Sequence, residues 1–242
     1  MTRILVPYHL DEHLPDLDVP FPADEVVTVD MPDTDIWGRL SWLHGHVAEA
    51  VERADSPVVM TGDCTVAAGV LTGLQRRGID PAIVWFDAHG DVQTLETTAS
   101  GYIGGMALRF LLGYGRSLVG DRLGMRPVPE DRVVLVDARD LDPPEVEYLA
   151  GAAIQRQPVA EVAPPDGPIY LHIDLDVADA GDIPGLRYPV TGGPGITEVA
   201  AAIRKVVDTG RVAAVLVGCV WHPGHGGAEA VRPHLEAILP PA

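Results

Sequence analysis

At 242 residues the chain is long enough for one large α/β domain or at most two small ones, and 47% hydrophobic residues supply a sizeable core and exclude bulk disorder. The 35 acidic residues outnumber the 17 basic ones and leave a net charge of −18. Nucleic acid and anionic membrane surfaces would be repelled, so neither is expected as a partner.

The start, "MTRILVPYHLDEHLPD", shows no basic stretch followed by a long apolar one, and no apolar run approaches a membrane span. Two cysteines, Cys64 and Cys219, form no disulfide framework. A cytoplasmic protein is therefore expected.

In chain order, "RILVPY" and "EVVTV" read as strands, followed by a helix over 36–54 with Leu40, Leu43, Val47 and Val51 three or four apart. "SPVVMTG" is a third strand and 65–78 a helix ending at a glycine. Next come the strand "PAIVWFD", the helix "GGMALRFLLGYG", the strand "DRVVLVD" and the helix "PPEVEYLAGAA". "RQPVAEVAPPDGP" is the strongest break, but it only separates a helix from the strand "PIYLHID". A helix over "ITEVAAAIRKVVDTG" and the strand "VAAVLVGCV" follow.

Strands apolar on both faces, alternating with helices, predict a three-layer α/β/α sandwich around a mostly parallel open sheet. No linker or repeat divides it, so residues 1–242 are expected to form one domain.

Open α/β sheets carry their sites at the carboxyl ends of strands. Four ends there bear reactive groups: Asp63 with Cys64; Asp87, His89 and Asp91; Asp174 and Asp176; and Cys219 with His222. In extended chain, residues two apart share a side, so the Asp87–His89–Asp91 and Asp174–Asp176 sets can each converge. Clustered carboxylates repel unless a cation compensates them. Two divalent ions roughly 3.5–4 Å apart are the usual arrangement for hydrolysis, and oxygen ligands with one imidazole favour manganese. Either set alone could be an acidic turn.

"TGDCT", "WFDAHGDVQTLETTASGYIGGM" and "HIDLDVADAGDIPG…TGG" resemble three successive motifs of the ureohydrolase superfamily, which holds arginases, agmatinases and formiminoglutamases. The resemblance spans roughly 55–225. It implies the same sandwich, an architecture shared with deacetylases, and a dinuclear manganese site. It also implies hydrolysis of a guanidino or amidino C–N bond of a small molecule, and a homo-oligomer, trimer or hexamer.

By that resemblance one metal is held by Cys64, Asp87, Asp91 and Asp174, and the other by Asp87, His89, Asp174 and Asp176. A bridging hydroxide attacks the planar carbon while Asp91 orients it and passes its proton. Ser100 and Asp142 match positions that contact the far end of amino-acid substrates, and Gln93 and Tyr102 are placed with them as substrate contacts. Asp142 is equally suited to a turn.

Three departures from the pattern bear on chemistry. Cys64 stands where most relatives carry histidine, which adds a negative charge to the ligand set and makes zinc, nickel or iron alternatives to manganese. A cysteine here resembles a minority branch that hydrolyses N-hydroxy-arginine; an inert buried thiol is the other reading. Gly104 occupies the place of a proton-shuttling histidine. Val220 or Trp221 stands near the place of a guanidinium-binding glutamate, which argues against arginine itself as substrate.

His222, and less so His225, is the candidate acid/base in "HPGHGG", a stretch that also reads as an exposed turn. Trp221 suits the core or a substrate wall. His172 is expected to hydrogen-bond a ligand carboxylate. His9, His13, His44 and His46 are expected to be structural or exposed. The alternatives to a binuclear hydrolase are a catalytically impaired metal-binding homologue and a single-metal deacylase.

Overall fold

The computed structural model describes residues 1–239. Its first strand, β1 (Arg3–Val6), leads into a small antiparallel hairpin of β2 (Tyr8–His9) and β3 (Glu12–His13), then β4 (Glu25–Val26). After α1 (Ile36–Arg53) come β5 (Val58–Thr61), α2 (Ala67–Arg76), β6 (Ala82–Asp87), α3 (Ala107–Leu111) and α4 (Gly120–Leu123). The chain continues through β7 (Val133–Asp137), α5 (Pro143–Gly151), β8 (Gln155–Gln157), β9 (Ile169–Asp174), α6 (Ile196–Val207), β10 (Val212–Gly218) and α7 (Gly227–Leu235).

Eight strands make one sheet in the order β4-β1-β5-β10-β9-β6-β7-β8, and every pairing in it is parallel. Strands β5, β6 and β9 are buried at every position, which explains why their sequences lack polar alternation. Helices α1 to α4 pack among themselves and α6 packs with α7, so the sheet and two helix groups form the expected three layers.

Close approach of α1 and α2 depends on two glycines. A Cβ at Gly69 would lie 2.7 Å from the His44 carbonyl oxygen, and one at Gly73 would lie 2.7 Å from that of Ala48.

All seven expected strands are present, although "EVVTV" contributes only two paired residues. The β2–β3 hairpin, the short helix α4, the edge strand β8 and helix α7 have no counterpart among the predicted elements. β8 lies within the Pro-rich break, and α7 carries Pro233 inside it. The expected helix 104–115 is reduced to a 3-10 turn at Gly104–Met106 followed by the short α3.

The strand order places the site. Chain-adjacent β5 and β6 are separated in space by β10 and β9. The carboxyl ends of these four central neighbours deliver Cys64, Asp87, Asp174 and Val220 to one region, where strand order reverses.

Candidate metal centre

Each ligand segment is aimed by a turn. Asp63 caps the 3-10 turn Cys64–Val66 that opens α2, its side chain accepting from the Thr65 amide. Asp174 likewise caps the turn Leu175–Val177 and accepts from the Asp176 amide at 3.0 Å. Beyond β6, Asp91 adopts φ 53°, the left-handed region that Asp tolerates better than most residues. Simple alternation along extended chain therefore does not bring these carboxylates together. Two 3-10 turns and one left-handed residue do.

The result is a buried acidic cluster. Asp87, Asp91, Asp174, Asp176 and Cys64 are each no more than 7% exposed. The Cys64 thiol donates to Asp174 Oδ2 at 2.9 Å. His89 Nδ1 lies 3.3 Å from Asp87 Oδ1 and 3.1 Å from Asp176 Oδ2. Ligating atoms of Asp87, His89 and Asp176 lie within 4.8 Å of one another, as do those of Cys64, Asp87 and His172. Asp91 Oδ2 is buried without a hydrogen-bond partner.

Charge in this cluster is poorly compensated. Burial, then the Asp87 and Asp174 charges, push the Asp91 carboxyl well up. Burial and the neighbouring Asp176 and Asp87 do the same to Asp174, and Asp176 is raised to about 6. The Cys64 thiol is pushed up by burial and by the charges of Asp174, Asp91 and Asp87. Burial opposes the His89 cation, but hydrogen bonds to Asp176 and Asp87 override it and raise the imidazole to about 12. Asp87 runs the other way: burial raises it, and contacts with His89 and Trp85 pull it below its ordinary value. Five acidic groups around one imidazole, one carboxylate oxygen with no partner, suit divalent cations. The donor set fits the metal site expected from the sequence.

His172 departs from its expected role. Its ring stacks face to face on Trp85 across the β6–β9 pair, and burial lowers it to about 3. Its Nε2 has no partner, and the donor to the ligand carboxylate is the Trp85 indole, 3.0 Å from Asp87 Oδ2. The Arg139 guanidinium was also missed. It donates to the carbonyls of Val177 at 2.8 Å, Asp176 and Ala178 at 3.3 Å, and Val190 at 2.9 Å, clamping the Asp176 turn. A lone arginine in "ARDLDPPE" gives no sequence signal of that role.

A cavity of about 470 Å³ opens onto the cluster, with Cys64, His89, Asp91, Asp174 and Asp176 in its lining. Gln93, Ser100, Tyr102 and Asp142 line it too, with Gln93 Nε2 donating to Asp142 Oδ2 at 3.0 Å. Asp142 also caps α5 in a reciprocal box with Glu145, so it is turn residue and cavity residue at once. Val220 lines the cavity, whereas Trp221 is core, its indole donating to the Asp18 carbonyl. Tyr188, unmarked in the sequence, covers the site with its ring edge-on to His89.

His222 is not brought in. Its side chain is exposed, outside the cavity lining, with its ring 5.8 Å from that of His225. Its amide donates to the Gly185 carbonyl at 2.8 Å, and its ring is not among the groups that line the cavity.

Parallel strands that bring acidic side chains to a central crevice define an α/β protein of arginase-like architecture. More narrowly, residues 6–219 match the arginase family, and the chain belongs to it. An arginase of Bacillus subtilis is 32% identical over 69% of this chain and 62% of its own length. The N(omega)-hydroxy-L-arginine amidinohydrolase of Streptomyces lavendulae is 34% identical over 60% of this chain and 54% of its own. The chain spans about three-fifths of the length of the curated relatives it matches. The crystal structure of arginase from Bacillus cereus superposes with a TM-score of 0.82 at 23% identity, covering 100% of this chain and 98% of that one.

Proposed function

We propose that this chain is a binuclear metal-dependent hydrolase of a guanidino or amidino C–N bond in a small, linear substrate. The observation that carries this reading is the buried acidic cluster, with its unpartnered Asp91 oxygen, at the floor of a substrate-sized cavity.

Cys64, Asp87, Asp91 and Asp174 would hold one cation, and Asp87, His89, Asp174 and Asp176 the other. Manganese is the first choice, and the soft Cys64 sulfur opens the site to zinc, nickel or iron. When bound, such a pair supplies Lewis acidity and brings the ionisation of water near neutral pH. Around it, Asp91 Oδ2, buried without a hydrogen-bond partner, is the free acceptor placed to take a proton from the attacking water. Gln93, Ser100 and Asp142 bind the far end of the substrate. Tyr102 and Tyr188 wall the near end and exclude water. The same reading places the protein in the cytoplasm as a trimer or hexamer; among the described residues no helix is long and apolar enough to cross a membrane.

Two features favour a second reading, a metal-binding homologue that has lost catalysis: Gly104 offers no proton carrier and Val220 no countercharge. Release of urea or ammonia separates the two. The panel is arginine, agmatine, formiminoglutamate, guanidinobutyrate and N-hydroxy-arginine, each with manganese, zinc, nickel and iron. Turnover of any one supports the hydrolase, and inertness of all supports the homologue. Binding of a single metal with Cys64 free would favour a single-metal deacylase.

A further inference from the structure

Val220, Gly104, Tyr102 and Tyr188 also line the cavity, and none of them carries a charge. A Cβ built on Gly104 would overlap the Tyr102 ring and hydroxyl, so Tyr102 fills the space a larger residue at 104 would need. Its hydroxyl donates to Asp63 Oδ2 at 3.4 Å. Asp63 is 1% exposed and does not line the cavity; its other oxygen is taken by the Thr65 amide and hydroxyl. His9 stacks on the outer face of the Tyr102 ring with centroids 5.7 Å apart, and its Nδ1 lies 3.7 Å from Asp63 Oδ2.

While it donates to Asp63, the phenol oxygen keeps lone-pair capacity to accept. It presents an acceptor to whatever occupies the cavity. The remaining carboxylates are engaged. Asp142 accepts from Gln93, and Glu145 accepts from the Val92 and Asp142 amides at the outer end. Asp91, Asp174 and Asp176 face the cation site. A guanidinium, charged at any physiological pH, would meet two metal charges with no carboxylate in the lining free of both the cation site and existing donors.

We propose that the cavity reads an uncharged, N–H-bearing planar head group, a ureido-like or weakly basic amidine group, which donates to the Tyr102 oxygen and lies against Val220. This rests on the cavity being the substrate site of the metal-loaded protein.

Calorimetric titration of the metal-loaded protein tests it with matched neutral and cationic probes: L-citrulline with L-arginine, N-carbamoylputrescine with agmatine, and 4-ureidobutyrate with 4-guanidinobutyrate. In the best-bound pair the ureido compound should bind at least about tenfold more tightly. Tyr102→Phe should weaken the ureido compound by up to about tenfold, one hydrogen bond. Val220→Glu should reverse the preference. Metal content, measured in each variant, should match the parent. Equal or tighter binding of the guanidino partner, no binding of any ureido probe, or an unchanged ureido affinity in Tyr102→Phe would each overturn the proposal. Urea release from a cationic substrate would overturn it while leaving the hydrolase reading intact, whereas a protein that takes up no metal would overturn both.

Discussion

The inner and outer ends of the cavity use the same kinds of side chain and differ in how fully their polar atoms are paired. At the outer end Asp142 accepts from Gln93, Gln93 Oε1 accepts from the Thr97 hydroxyl, and Glu145 accepts from two amides. At the inner end Asp91 Oδ2 has no partner, and Asp91, Asp174, Asp176 and Cys64 are all pushed toward their neutral forms, burial first among the causes. Carboxylates that serve the scaffold arrive with their donors. Carboxylates left to crowd one another await a cation.

The strongest way to break this contrast is Asp174→Ala, which removes a ligand expected to serve both cations. Metal uptake should be lost, and with it the thermal stabilisation the parent gains on loading, about 2.7 kcal/mol at a hundredfold excess over Kd. Elemental analysis and melting curves measure both; normal metal content in this variant would remove Asp174 from the site.

Arg139→Ala attacks the same end from behind, by releasing the carbonyls of the Asp176 turn. A loss of about 3 kcal/mol in stability and a roughly 10–100-fold weaker metal affinity are expected, read by denaturant titration and metal competition.

Removing metal sharpens the contrast through pH. Asp176 rises to about 6 and His89 to about 12 in the folded chain, so the native state binds more protons than the unfolded one across this range. The stability of metal-free protein should therefore be highest in mild acid and fall as pH climbs through 6 and onward, as Asp176 ionises and the His89 contribution begins to fade. Cation binding requires those protons to leave, so metal affinity should rise over the same interval. A metal-free melting temperature that rises between pH 5 and pH 8 would contradict the assignment.

The smallest effect belongs to the outer end: Asp142→Ala should cost about 1 kcal/mol by uncapping α5 and leave metal content unchanged.

The architecture was legible because β5, β6 and β9 are buried on both faces and so spell themselves as unbroken apolar runs. Helix α7 was not, because Pro233 and the glycines before it read as loop. The acidic strand ends were visible as residue types, but the reason for their convergence was not: alternation suggests an extended segment, while the left-handed Asp91 and the turn at Leu175–Val177 do the work. Tyr188 and Arg139 act across the fold, from a loop and from the end of β7. No local pattern marks a side chain that holds carbonyls more than thirty residues away, as Arg139 does beside its local ion pair with Asp137.

The Trp85–His172 pair has an optical consequence. The indole lies flat against an imidazole and gives its N–H to Asp87, the carboxylate expected to join both cations. A cation bound at Asp87 would compete for that oxygen and change the indole's electronic surroundings, so Trp85 emission would report occupancy. Of the chain's four tryptophans, Trp85 alone hydrogen-bonds a carboxylate of the acidic cluster, and its emission would let loading be followed in real time without any added dye.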